Sequence, residues 1–175
     1  MKDIQWREEP IATRHDRKGF DCGEEALNGF LTQYARQAHD SGASKTYVAI
    51  DVGDGKTILG FYTLCPTEVP FDDVPHEAQP RKGGRRPIAA IRLARIAVSK
   101  NHQKRGIGGA LLLAAGRRCI RASEEIGGSM LVIDAKNDKA ASWYKEYGAI
   151  EITRKPLCLV LPYATLTEAL REAGI

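Results

Sequence analysis

The sequence predicts an α/β (α+β) fold, with helices flanking a mixed sheet of about six to seven strands. Three observations lead there. Strand-type and helix-type stretches alternate along the whole chain. The run Met130-Leu131-Val132-Ile133 is apolar throughout, as a strand covered on both faces would be. The chain has 175 residues, 43% hydrophobic and 27% charged, with no internal repeat and no linker, which suits a single domain over 1–175.

The elements follow in order. Residues 1–9 read as a short first strand, and 15–23 as a polar link. Over 24–38 the residues Ala26, Leu27, Phe30, Leu31, Tyr34, Ala35 and Ala38 recur at helical spacing, which predicts one helix with one buried stripe. Residues 46–50 form a β-branched strand, Gly53-Asp54-Gly55 a hairpin-type turn, and 57–64 the partner strand. Residues 66–87 are a long connection, acidic first (Glu68, Asp72, Asp73, Glu77) and basic later; connections of that length are usually functional or mobile. Residues 88–98 are the third central strand, 106–122 a helix, 130–133 the buried strand and 138–147 a short helix closed by Gly148. Residues 150–153 and 157–161 are the last strands, and 164–173 a terminal helix.

Charge is distributed unevenly. From residue 78 to 123 there is no Asp or Glu but 12 Lys or Arg, while the rest of the chain carries 14 basic against 22 acidic residues. A phosphate-bearing cofactor, a nucleic acid or both would account for such a block; a solvated basic face is the plainer alternative. Cys22, Cys65, Cys119 and Cys158 are scattered, without the spacing of a zinc ribbon or a redox pair, so no metal is expected. No apolar run approaches the roughly 20 residues of a membrane span, and the N-terminus lacks a secretory apolar core. A reduced cytoplasmic protein is the expectation.

The chemistry concentrates where the third central strand meets the helix after it: Gln103-Lys104-Arg105-Gly106-Ile107-Gly108-Gly109-Ala110. A helix start leaves N–H groups without intrahelical partners, and its dipole is positive there. Glycines allow close approach and two cations add full charge, so the segment suits a pyrophosphate. It does not match the P-loop, and Leu111 stands where the dinucleotide fingerprint needs its third glycine.

Gln103-x-x-Gly106-x-Gly108 is similar to the R/Q-x-x-G-x-G/A signature of the GNAT N-acetyltransferases. Arg95-Ile96-Ala97-Val98 resembles that family's bulged strand. Val132-Ile133-Asp134-Ala135-Lys136-Asn137 resembles its next strand, and Ala140-Ala141-Ser142-Trp143-Tyr144-x-x-x-Gly148 its following helix. Further stretches, residues 20–31, 60–64 and 93–98, resemble the GNAT toxins of bacterial toxin–antitoxin modules. The resemblance implies a GNAT fold, acetyl-CoA as cofactor, the α-amine of aminoacyl-tRNA as acceptor, a ribbon-helix-helix antitoxin as partner, and a homodimer. The sequence departs from the pattern at Ser99, at Lys104-Arg105 and at Ala149.

By the same resemblance, the backbone of Ile96, Ala97 and Val98 would pair with pantetheine and polarise the thioester carbonyl. Gln103, Lys104, Arg105, Gly106, Ile107, Gly108, Gly109 and Ala110 would hold the pyrophosphate. Asn137 would bond the pantetheine arm, or else cap the next helix. Tyr144 would protonate the leaving thiolate; Tyr147 is a weaker rival. A phenol has pKa near 10, so it keeps its proton at neutral pH. No general base stands out among His76, His102 and the acids of the long connection. That favours an acceptor such as an α-amine, whose pKa of about 7.7–8.0 leaves a neutral fraction. Arg81, Lys82, Arg85, Arg86, Arg92 and Arg95 exceed what coenzyme A requires and are candidates for tRNA phosphates; Arg117, Arg118 and Arg121 suit a helix end as well as a ligand. Two other readings stay open: a GNAT acting on a small amine or a protein N-terminus, and a non-enzymatic basic nucleic-acid-binding module.

Overall fold

The computed structural model describes residues 3–175. Its strands are β1 (Trp6–Pro10), β2 (Lys45–Asp51), β3 (Ile58–Val69), β4 (Ile88–Val98), β5 (Met130–Asp134), β6 (Ile150–Glu151) and β7 (Cys158–Pro162). Its helices are α1 (Glu25–Gln33), α2 (Ala35–Ser41), α3 (Ile107–Ile126), α4 (Asp138–Glu146) and α5 (Tyr163–Glu172). The sheet is seven-stranded and mixed, in the order β1-β2-β3-β4-β5-β7-β6. β4 and β5 run parallel, with Ala90 opposite Met130 and Leu93 opposite Ile133. The β1–β2, β2–β3, β5–β7 and β6–β7 pairs are antiparallel. The expected α/β class and strand number are therefore both present.

The chain divides into two compact units, residues 1–65 with 94–112, and 66–93 with 113–175. The first is built on Phe20, Phe30, Leu31, Val48, Ile50, Phe61 and Ala97. Phe61 lies edge-on to Phe20 at 5.5 Å and stacked with Phe30 at 6.4 Å. Its buried polar residues Glu9, His15, Thr46 and Thr63 are paired. The Thr46 and Thr63 hydroxyls meet at 2.7 Å. His15 Nδ1 accepts the Ala12 N–H at 3.0 Å, so Nε2 carries the ring proton toward Glu9 Oε2 at 2.8 Å. The second unit is built on Val69, Val74, Ile88, Met130, Val132 and Val160. There Gly116 lets α3 approach α5 closely, since a Cβ on it would meet Leu166 Cδ2 at 2.8 Å.

Several boundaries differ from expectation: the first strand, expected over 1–9, runs Trp6–Pro10, with residues 1 and 2 outside the described ones, and the strand expected over 150–153 ends at Glu151. The first helix is two, because Tyr34 leaves helical geometry (φ −120°, ψ −32°). Hydrogen bonds to and from Tyr34 bridge the break, but the stripe changes phase: Tyr34 is 59% exposed and Ala35 is buried. β3 continues past Pro66 to Val69; its register with β2 ends at Leu64, so Pro66 lies beyond the ladder on that side. α3 continues past Ala122 to Ile126, ending where Gly127 takes φ +87°. The long connection, now residues 70–87, holds single 3-10 turns at Phe71–Asp73 and His76–Ala78. All four cysteines are free thiols, and three are buried.

Candidate active site

The first unit carries the anion-binding turn. β4 ends at Val98, a 3-10 turn spans Lys100–His102, and α3 begins at Ile107. Between them the backbone twice enters the left-handed region, at Lys104 (φ +60°) and Gly106 (φ +80°). The double reversal brings the start of α3 to an open face: a Cβ built on Gly106 would meet nothing within 4 Å. Ala110 is the first residue whose N–H returns to the turn, onto Gly106 O at 3.1 Å. The N–H groups of Ile107, Gly108 and Gly109 precede it and lack intrahelical acceptors. Lys104 and Arg105 are exposed beside them. An exposed turn of this charge, with amides and no side chain in the way, fits a diphosphate.

The turn is held by contacts the sequence did not announce. Gln103 donates through Nε2 to Val98 O at 2.9 Å and to Cys22 O at 3.1 Å. Its amide therefore fastens the turn to the loop before α1, a positioning role beside the expected ligand role. Lys100 Nζ lies 2.8 Å from Asp21 Oδ2. That ammonium, with the Gly23 N–H and the Asn28 amide, lowers the Asp21 carboxyl to about 2. Gly60 on β3 matters equally: a Cβ there would lie 2.8 Å from Ala97 O and 2.8 Å from Leu111 Cδ1. A glycine inside a strand is the sequence signal for such close approach. Ile96 and Val98 are half-buried and Ala97 is buried. Arg95 stacks its guanidinium 3.7 Å above the Phe30 ring.

The second unit carries the proposed acid. Asn137 is the N-cap of α4, its Oδ1 accepting from Ala140 N at 2.9 Å, so the cap alternative is realised. Tyr144, two turns on, is 6% exposed, and its ring meets Trp143 edge-on at 4.9 Å. Burial raises its phenol to about 12. It is thus a proton donor throughout the neutral range. Tyr147 is half-buried and raised by burial too, facing Trp143 at 5.2 Å.

The structure separates the six basic candidates. Arg92 pairs with Asp134, and Arg85 pairs with Asp72 while lying 5.5 Å from the Phe71 ring centre. Arg81, Lys82 and Arg86 are exposed, without ion pairs among the described residues. Of the base candidates, Glu68, His76 and Glu77 are exposed, while Asp73 lies 4.0 Å from Arg154 Nε. His102 is half-buried, and its Nδ1 has no hydrogen-bond partner among the described residues.

A strand running into a glycine-bearing helix start, followed in sequence by a buried tyrosine on a capped helix, belongs to acyl transfer from a coenzyme. The acetyltransferase (GNAT) domain family matches residues 42–148, and the chain belongs to that family. Among its relatives, the tRNA-acetylating toxin of Mycobacterium tuberculosis is 32% identical over 151 residues, covering 86% of this chain and 88% of the relative. AtaT complexed with acetyl-methionyl-tRNAfMet is 27% identical, with a TM-score of 0.86, covering 98% of this chain and 100% of that one. An AtaT tyrosine-to-phenylalanine mutant, bound to acetyl-CoA and the C-terminus of the antitoxin AtaR, is 26% identical with a TM-score of 0.80, covering 94% and 98%. The protein is an acetyl-CoA-dependent N-acetyltransferase of the toxin branch.

Proposed function

We propose that this chain, acting as one acetyltransferase domain, transfers the acetyl group of acetyl-CoA to the α-amine of aminoacyl-tRNA and so stops translation. Bound acetyl-CoA supplies an activated thioester. The Lys104-Arg105-Gly106 turn and the first amides of α3 hold its diphosphate, together with Gln103, Ile107, Gly108, Gly109 and Ala110. Backbone groups of Ile96, Ala97 and Val98 align the pantetheine arm, and an N–H there polarises the carbonyl. Asn137 keeps its cap and offers its remaining amide hydrogens. As the C–N bond forms and the C–S bond breaks, Tyr144 hydrogen-bonds the departing sulfur and passes it a proton, and the proton shed by the acceptor nitrogen balances the transfer; burial keeps the phenol protonated until that moment. The acceptor arrives partly neutral, because an α-amine titrates near 7.7–8.0.

The observation that carries this reading is the buried Tyr144 on the Asn137-capped helix, in a chain that also presents an excess of cations. Arg81, Lys82 and Arg86, unpaired and exposed, are the tRNA contacts we favour; Arg85, Arg92 and Arg95 are engaged elsewhere and contribute less. The partner we infer is a ribbon-helix-helix antitoxin, the assembly a homodimer, and the place of action the cytoplasm, where charged tRNA resides.

The test is transfer of radiolabelled acetyl in a cell-free translation mixture, with RNA and protein fractions counted separately. Label in charged tRNA that is lost on deacylation supports the reading. Label confined to protein or small amines, with translation running normally, overturns it in favour of an ordinary GNAT.

A further inference from the structure

A second cationic pocket lies in the second unit, away from Tyr144. It encloses about 250 Å³ and is lined by Phe71, Lys82, Gly83, Gly84, Arg86 and Ser129, among others. Its lining contains two cations and no carboxylate. Lys82 and Arg86 have no ion pair among the described residues, whereas their neighbour Arg85 is tied to Asp72. Gly83 (φ +104°) and Gly84 (φ +76°) put two successive left-handed residues in its wall, with open space where side chains would stand. Ser129 adds an independent sign. Its hydroxyl is buried and has no hydrogen-bond partner in the structure, although its backbone N–H and carbonyl are both paired. A buried hydroxyl without a partner is costly, and an acceptor oxygen entering the pocket would relieve it.

The placement says what that oxygen belongs to. Ile88 and Ala89 open β4, and Ser129 directly precedes β5, so the pocket sits at the N-terminal ends of these parallel strands. Asn137 and Tyr144 follow the opposite end of β5. Five residues at about 3.3 Å each separate the two ends by roughly 17 Å. Stacked nucleic acid advances about 3.4 Å per nucleotide, so the interval corresponds to roughly five nucleotides.

We propose that this pocket seats a backbone phosphate of the RNA, on the order of five nucleotides from the aminoacyl end, between Lys82, Arg86 and the Ser129 hydroxyl. Phe71 and the prolines of the wall cover the adjoining sugar. This rests on the aminoacyl-tRNA reading above. The pocket acts on substrate affinity and not on the chemical step.

The test compares wild type with Lys82→Ala/Arg86→Ala and with Ser129→Ala. A charge-matched control, Lys18→Ala/Lys56→Ala, alters exposed lysines elsewhere. Two substrates are used: aminoacyl-tRNA, and an aminoacyl-adenosine fragment too short to reach the pocket. We expect KM for aminoacyl-tRNA to rise roughly tenfold in the double variant and severalfold in Ser129→Ala. The kcat and the fragment kinetics should not move. Binding of uncharged tRNA should weaken in parallel, with a salt dependence shallower by roughly one to two in slope. Unchanged KM and RNA affinity overturn the proposal. So does an equal loss on the fragment, or a loss confined to antitoxin binding, which would make the pocket a protein-docking site. If wild type acetylates no aminoacyl-tRNA, the functional reading falls, and the uncharged-tRNA arm still decides the pocket.

Discussion

Replacing Tyr144 by Phe removes one oxygen from a side chain that is 6% exposed. The ring keeps its edge-on contact with Trp143 at 4.9 Å, and the core loses no carbon, so folding stability should stay within about 1 kcal/mol of wild type. The chemical loss should be far larger. A positioned proton donor contributes about 10²–10⁴-fold to rate, or about 3–5 kcal/mol of barrier. The expected result is a folded enzyme whose kcat falls within that range while its KM for acetyl-CoA holds. The pH profile adds a second, independent expectation. Burial raises the phenol to about 12, so the donor stays protonated from pH 6 to 10. Wild-type rates should climb as the acceptor amine loses its proton near pH 8 and then run level, with no alkaline fall. Initial rates at saturating acetyl-CoA, measured over that range for both proteins, check both expectations. A Phe variant within tenfold of wild type would refute the role. An alkaline limb near pH 9 in wild type, missing from the variant, would refute the burial argument.

Other expectations follow from the turn, its support and the paired acids. Lys104 holds φ +60°, which costs an L-residue about 1–2 kcal/mol. Lys104→Gly should match or slightly exceed wild-type melting temperature while raising the acetyl-CoA KM severalfold, and Lys104→Ala should raise KM with no gain in stability; an unaltered KM in both would remove Lys104 from the cradle. Gly60→Ala should destabilise by about 1–3 kcal/mol and weaken acetyl-CoA binding, because its new methyl meets Ala97 O and Leu111; thermal melts and KM that match wild type would contradict the close approach. Glu9 is lowered from 4.5 to about 2 by Arg7, then by His15 and Arg14. Its contribution to stability is complete above pH 4.5 and is lost as pH falls toward 2. Glu9→Gln should therefore show a shallower drop in melting temperature between pH 5 and 2 than wild type, and parallel curves would count against the pairing.

The parts of the fold that were legible in the sequence are those where period and chemistry agree. The uniformly apolar Met130–Ile133 run reads as a covered strand and is one, and the glycine-bearing turn at Gly106 marked a helix start. Tyr34 misled because helical spacing cannot register a change of phase: its ring fits the stripe on paper and points to solvent once φ shifts by a few tens of degrees. Pro66 misled for the opposite reason, since its missing N–H matters only on the paired side of a strand. In the site, the residue types were legible and their partners were not. Gln103 was visible as part of a signature, yet nothing in the chain announces that its amide reaches Cys22 O. Asn137 reads first as a contact to the pantetheine arm and alternatively as a cap, and the 2.9 Å contact to Ala140 N settles the cap. The basic run was legible as a sum, while the division into engaged arginines and unpaired ones is a matter of tertiary placement.

The Gln103 tie joins residues 81 positions apart, from the loop before α1 to the turn before α3. A growing chain lengthens at about 5–20 residues per second, so Cys22 waits roughly 4–16 s before its partner exists. Until then the ribosome has released the front half of the sheet without the clasp that shapes the coenzyme turn, and Tyr144 comes later still. An enzyme that acts on the charged tRNAs feeding its own synthesis therefore has no assembled diphosphate turn while the first hundred residues are being made.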